Sequence, residues 1–211
     1  KKNVHKNVKI LSESKKDTLA EIDVLVVFAG RLIVLEAKSK KLTLKAKLGD
    51  KEAFSEDFKN AIQDAYDQSQ KAIERIQEPN ICVSLEDGDT LKLPDSFIEI
   101  YNLCVLANFY PALLPQVSQF LVIHEGKHPP LVTDIFFLDL FFEFCSTPLQ
   151  AFNYLDRRVK YFKQVFCDSE QAVLGFHLQK NLFLEKDEDF AAIDKHCADE
   201  LDACFTARRL H

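Results

Sequence analysis

Methionine and tryptophan are absent from this sequence, and only 5 glycines and 7 prolines are spread over its 211 residues. So little glycine and proline excludes collagen-like repeats and Pro/Gly-rich low-complexity chains. Long apolar runs are missing too. Ile135 to Phe142 is broken by Asp139, far short of the ~20 apolar residues a spanning helix needs. Lys1 to Lys9 is basic and polar, so no charged-then-apolar signal segment is visible and no membrane role is expected. Six cysteines stand singly, at 82, 104, 145, 167, 197 and 204, without the density of a small secreted disulfide framework. Reduced, buried thiols in a cytoplasmic protein are the expectation. The missing methionines, with Lys1-Lys2 at the start, imply either a domain of a longer chain or a sequence from which methionines have dropped out. In the second case, spacings beside a lost residue are one short.

What is present suits a folded protein: 47% hydrophobic and 28% charged residues, enough for one good core with an appendage. The net charge of −6 is unevenly spread. Lys1 to Lys16 holds six lysines against Glu13 alone, and Lys38 to Lys51 holds six more against Asp50 alone. Glu185 to Asp202 carries eight carboxylates against Lys186 and Lys195. For a nucleic-acid partner the local basic stretches matter more than the sum.

Val8–Leu11, Glu21–Phe28 and Leu32–Ala37 read as strands, the last two joined around Gly30 as an antiparallel hairpin. Lys41–Lys47 alternates Leu42, Leu44 and Ala46 like an extended segment. Phe54, Phe58, Ile62, Tyr66, Ala72 and Ile76 recur at helical spacing over Lys51–Ile76, with Asp50 to cap the helix and Pro79 to close it. Asp87-Gly88-Asp89 is a turn between Ile81–Leu85 and Thr90–Leu93, and Phe97–Asn108 is a central strand apolar on both faces. Later, Val132-Thr133-Asp134 opens a helix with Phe136, Leu140 and Phe141 on its buried side. Thr147 caps another, with Pro148 at its first position, and helices follow over Ser169–Leu182 and Phe190–Arg209. The division expected is 1–110, mixed α/β, and 111–211, mainly helical.

The segment Glu21 to Lys38 carries the chemistry. Residues two apart on a strand share a face, so Glu21 and Asp23 project together, as do Glu36 and Lys38 on the next strand. Folding about Gly30 brings Asp23 beside Glu36 and Lys38. Two carboxylates at close range repel unless a cation neutralises both. Mg²⁺, or Mn²⁺ in its place, suits them: it takes hard oxygens and leaves room for water and substrate phosphates. A lysine beside the pair can contact a phosphate or orient the attacking water, which suits phosphodiester hydrolysis by a metal-activated water. Lys40, Lys41, Lys45 and Lys47 are placed to neutralise backbone phosphates, and Glu21 is an additional outer carboxylate. The plainer alternative is a set of salt-bridged strand ends.

Asp23 followed by Glu36-Ala37-Lys38 after an apolar strand resembles the PD-(D/E)XK nuclease signature, with Ile22 in place of the proline. The wording from Glu21 to Phe28 and from Val34 to Ser39 is especially similar to nuclease-related (NERD-like) members. The resemblance covers roughly Val8 to Asn108. It implies a restriction-endonuclease-like α/β core, a central mixed β-sheet flanked by helices, here with a mainly helical C-terminal extension. It also implies Asp23 and Glu36 as metal ligands aided by the Ala37 carbonyl, Lys38 as the catalytic lysine, and Gln68, or second Gln70, as the helix glutamine. The glutamate that some members carry on a preceding helix has no match.

The expected activity is a Mg²⁺-dependent nuclease acting on nucleic acid, DNA ahead of RNA. The rival is an inactive nucleic-acid- or protein-binding module on the same fold. A zinc site from His196, Cys197, Cys204 and His211 lacks suitable ligand spacing. Arg157 and Arg158 fit dipole compensation and surface pairing at a helix C-terminus.

Overall fold

The computed structural model describes residues 3–108, 113–184 and 190–209. Its contacts divide it into two compact units: Lys1–Ala107 with His124–Leu131, and Asn108–Ile123 with Val132–His211. The division expected at 110/111 falls in residues 109–112, outside the described residues.

The sheet has six strands in the order β4-β1-β2-β3-β5-β6: β1 Val4–Leu11, β2 Thr18–Phe28, β3 Arg31–Lys38, β4 Cys82–Ser84, β5 Glu99–Leu106 and β6 Leu131–Asp134. β1 pairs antiparallel with β2 and β4, β2 antiparallel with β3, and β3 parallel with β5. A parallel pair needs a long crossover, and the stretch between β3 and β5 supplies it with α1 (Leu44–Lys47), α2 (Lys51–Phe58) and α3 (Asp64–Ile76). Leu32, Ile33 and Val34 are all buried, and so is every residue from Tyr101 to Leu106. Continuous burial of this kind marks strands covered on both faces. α3 lays Ala72, Ile73 and Ile76 onto Val8, Ile10, Leu25, Leu32 and Val34. The result is the α/β restriction-endonuclease-like core that the sequence implies.

Two local expectations in this unit fail. Lys41–Lys47 is not extended: Thr43 caps the short α1, its hydroxyl accepting the Ala46 amide at 3.3 Å. Nor is Lys51–Ile76 one α-helix. α2 and α3 are joined by a π turn over Lys59–Gln63, in which the Asp64 amide reaches back to the Lys59 carbonyl. Phe58, Ile62 and Tyr66 are all buried at steps of four residues, longer than the 3.6-residue turn of an α-helix, and the wider turn absorbs the excess. Across the turn at Asp87-Gly88-Asp89, Thr90 forms a single bridge to Ser84.

The second unit contains α4 (Leu113–Phe120), α5 (Ile135–Phe144), α6 (Pro148–Lys160), α7 (Glu170–Lys180) and α8 (Asp199–Arg209), with a small parallel ribbon of β7 (Val165–Phe166) and β8 (Ala191–Ala192). Val132-Thr133-Asp134 is strand rather than helix. α5 starts after Asp134, whose carboxylate accepts the Phe137 amide at 2.8 Å. Its buried side is Phe137, Leu140 and Phe141, while Phe136 is exposed. Thr147 and Gln150 form the capping box of α6. Phe190–Arg209 is not one helix: β8 and a 3₁₀ turn at Lys195–Ala198 precede α8, and the acidic stretch at 185–189 lies outside the described residues. Gly175 permits a close crossing, because a Cβ there would sit 1.8 Å from the Cys197 carbonyl oxygen. Arg158 is a core residue instead of a surface one. It grips buried Glu170 through two hydrogen bonds of 2.7 and 3.1 Å, and the Tyr154 hydroxyl donates to the same carboxylate. Among the described residues no helix is long and apolar enough to cross a membrane.

Candidate metal and nucleic-acid site

The β2–β3 hairpin turns on Ala29 and Gly30, both left-handed at φ 48° and 76°. Positive φ at both central residues is the hairpin turn that matches the right-handed twist of strands. Phe28 pairs with Arg31 and Val24 with Leu35, so the pivot lies between Ala29 and Gly30 rather than on Gly30. The ladder ends at Val24 and Leu35, and the same register carried one step further sets Asp23 opposite Glu36. The Ala37 amide donates to Asp23 Oδ2 at 2.8 Å, which fixes the aspartate against the end of β3.

Glu36 is only 4% exposed, and its Oε1 is buried without a hydrogen-bond partner. Burial, then the Asp23 charge and a hydrogen bond with Asp23, push its carboxyl up to about 7, against the opposing pull of Lys38. The Lys38 ammonium donates to Gln68 Oε1 on α3. Asp23, Glu36, Lys38 and Gln68 are therefore brought together. Gln70 is buried further along α3.

Glu21 does not join them. It is two-thirds exposed and faces Lys9 at 3.6 Å, its cross-strand partner. Ile22 and Leu25, three residues apart, both enter the core, so the alternation of β2 slips by one between them. The slip sits beside Asn7 of β1, which has φ 50° between the pairs Lys6–Val24 and Val8–Ile22.

Of the four lysines expected to meet phosphates, Lys41, Lys45 and Lys47 are exposed. Lys40 lies 3.6 Å from Asp57, a carboxylate that sequence reasoning missed. Asp57 also accepts the Thr43 amide at 2.6 Å. Burial opposes its ionisation, yet the Thr43 and Lys40 contacts hold the carboxyl below its usual range. The basic arm 39–47 is thereby tied to α2. No sequence pattern marks Asp57, whose role depends on the chain doubling back across the arm. His124, 2.9 Å from Asp67 and stacked on Tyr66, packs on α3.

Among the described residues, no three His, Cys, Asp or Glu side chains gather to hold a metal. His196 pairs with Asp199 at 2.9 Å, and His211 lies outside the described residues. Asp23 and Glu36 present a different set: two hard-oxygen carboxylates, one with a buried oxygen lacking any donor. A divalent cation with water and phosphate completing its shell fits that set, and it would offset both the burial and the Asp23 charge that raise Glu36.

No curated protein and no solved structure matches the chain. The family model of the nuclease-related domain matches residues 1–106, a span that runs from β1 to the end of β5 and includes Asp23, Glu36, Lys38 and Gln68. The chain therefore belongs to the nuclease-related domain (NERD) family.

Proposed function

We propose that this chain is a divalent-metal-dependent nuclease that hydrolyses phosphodiester bonds, with Mg²⁺ or Mn²⁺ as the ion and DNA preferred over RNA. The observation that supports this best is Glu36, a carboxylate buried against Asp23 with an unpartnered oxygen. Burying a charged group without a partner is costly, and ion binding is the use that offsets the cost. Asp23 and Glu36 hold the cation, with the Ala37 carbonyl as a further oxygen. When bound, it supplies an activated water and neutralises charge on the phosphate. The Ala37 amide orients Asp23, and Gln68 holds the Lys38 ammonium toward a phosphate oxygen. Lys41, Lys45 and Lys47 contact the backbone, while Lys40 and Asp57 anchor the arm that carries them. Six free thiols favour a reducing, cytoplasmic location.

The test is incubation of the purified chain with single- and double-stranded DNA and with RNA, with and without Mg²⁺ or Mn²⁺. Metal-dependent cutting that disappears in Asp23→Asn, together with Mn²⁺ binding, is expected. Binding without any cutting would favour the inactive module.

A further inference from the structure

A cavity of about 310 Å³ opens beside α3, within the first unit and on the helix that holds Lys38 through Gln68. Its lining combines three carboxamides, Gln70, Gln77 and Asn102, with the apolar walls of Phe97 and Ile100. Asn102 is 3% exposed, and neither its amide nitrogen nor its oxygen has a partner. A buried polar group is expected to be paired, and an amide left with donor and acceptor both unmatched is a standing cost to the fold. An apolar ligand would leave that amide unmatched. A phosphate is disfavoured because the basic groups on the lining already face carboxylates: Lys127 meets Glu74 at 2.9 Å, and His128 lies 3.6 Å from Glu99. What remains is a neutral, planar heterocycle with donors and acceptors along one edge. The volume lies at the small end of ligand pockets. Asn and Gln amides read the edges of nucleobases in this way.

We propose that this cavity receives a nucleobase, with Asn102 reading its hydrogen-bonding edge and Gln70 and Gln77 flanking it. The placement suits a substrate of the site above, and to that extent the inference rests on the proposed function. Asn102 pairs with Val34, and Cys104 with Glu36, on adjacent parallel strands. The reading residue is thus two strand positions, about 7 Å, from the row of the buried carboxylate. A base turned out of a strand is reached by enzymes in pockets of this kind.

The experiment titrates the full chain with individual nucleosides, with ribose 5-phosphate and inorganic phosphate as controls, by calorimetry. Saturable binding of at least one nucleoside is expected, unaffected by the controls. It should weaken roughly tenfold or more in Asn102→Leu, a variant that removes an unpartnered amide and should melt no lower than wild type. Gln70→Leu gives a second reading should Asn102→Leu fail to fold. Asp23→Asn should lose Mn²⁺ but keep the nucleoside. No saturable binding by wild type, or unchanged binding in both leucine variants, overturns the proposal. Asn102→Leu melting lower with no nucleoside binding to lose also overturns it, since the amide then serves the fold alone. An oligonucleotide carrying 2-aminopurine separates the sources. Brightening with the strand points to a displaced base, and competition by free nucleosides alone points to a soluble ligand. A chain that binds nucleosides but cuts nothing leaves the pocket standing without the nuclease, and the converse result leaves the nuclease without the pocket.

Discussion

Replacing Glu36 by glutamine should stabilise the metal-free protein at alkaline pH. The native state holds the Glu36 proton to about 7, against an ordinary value of 4.5. A carboxyl raised on folding contributes its full stability below the unfolded value. That stability is lost as pH rises from 4.5 through 7. At 1.36 kcal/mol per pH unit, the complete loss is about 3 kcal/mol. Glu36→Gln keeps the shape of the protonated acid and cannot ionise, so the variant escapes that loss. For a chain of this length the gap is roughly 6–12 °C in Tm. The assay is thermal melting followed by circular dichroism, in chelator, at pH 4.5, 6, 7 and 8. Both proteins should melt together at pH 4.5, with the variant ahead at pH 8. Comparing the two at each pH cancels the titrating groups that do not interact with Glu36. Adding Mn²⁺ at pH 8 should then raise wild type and leave the variant unmoved, because only an ionised pair gains from the cation. Equal pH profiles, or a variant that melts below wild type at pH 8, would refute the account of Glu36 as a carboxylate buried at a cost.

Lys38→Ala should reduce cleavage by at least about 10²-fold while Mn²⁺ titration shows the ion still bound. Neutralising Lys41, Lys45 and Lys47 should flatten the slope of log K against log salt on duplex DNA by about 0.9 for each phosphate left without its lysine; an unchanged slope would mark them as merely solvated. Gly175→Ala drives a methyl into the Cys197 carbonyl and should cost about 1–3 kcal/mol, read by urea denaturation. Burial, then the Arg157 charge, lower His177 from 6.5 to about 4. Its contribution is therefore present above 6.5 and lost as pH falls toward 4, an acid sensitivity that His177→Leu should remove.

The carboxylate hairpin is legible in the sequence because its information is local. Alternating apolar residues, a glycine at the bend and charges confined to one end fix which side chains meet, and only the half-residue position of the pivot needs the observed two-residue turn. The face of Glu21 is not legible in the same way, because it depends on Asn7, fourteen residues earlier, where a left-handed residue shifts the phase of the neighbouring strand. Lys41–Lys47 alternates like a strand, but Thr43 caps it into a helix, and the buried Asp57 that secures it comes from α2. Arg158 reads as a surface charge because its partner, Glu170, belongs to the following helix. In each case the deciding contact comes from another element, which periodicity within a segment does not register.

The π turn at Lys59–Gln63 makes α2 and α3 one rod that holds one residue more than a plain α-helix of the same facing. The half before it aims Asp57 at the basic arm, and the half after it aims Gln68 at Lys38. The wider i→i−5 turn takes about one residue more than an α-helical turn, so one deletion inside it, restoring a plain α-helix, would leave the two halves facing as they do. Arm and ammonium would then both keep their helix partners. A relative one residue shorter here would carry its glutamine on the same face at a spacing shorter by one, so alignments across this stretch should admit a single gap before the glutamine is judged present or lost.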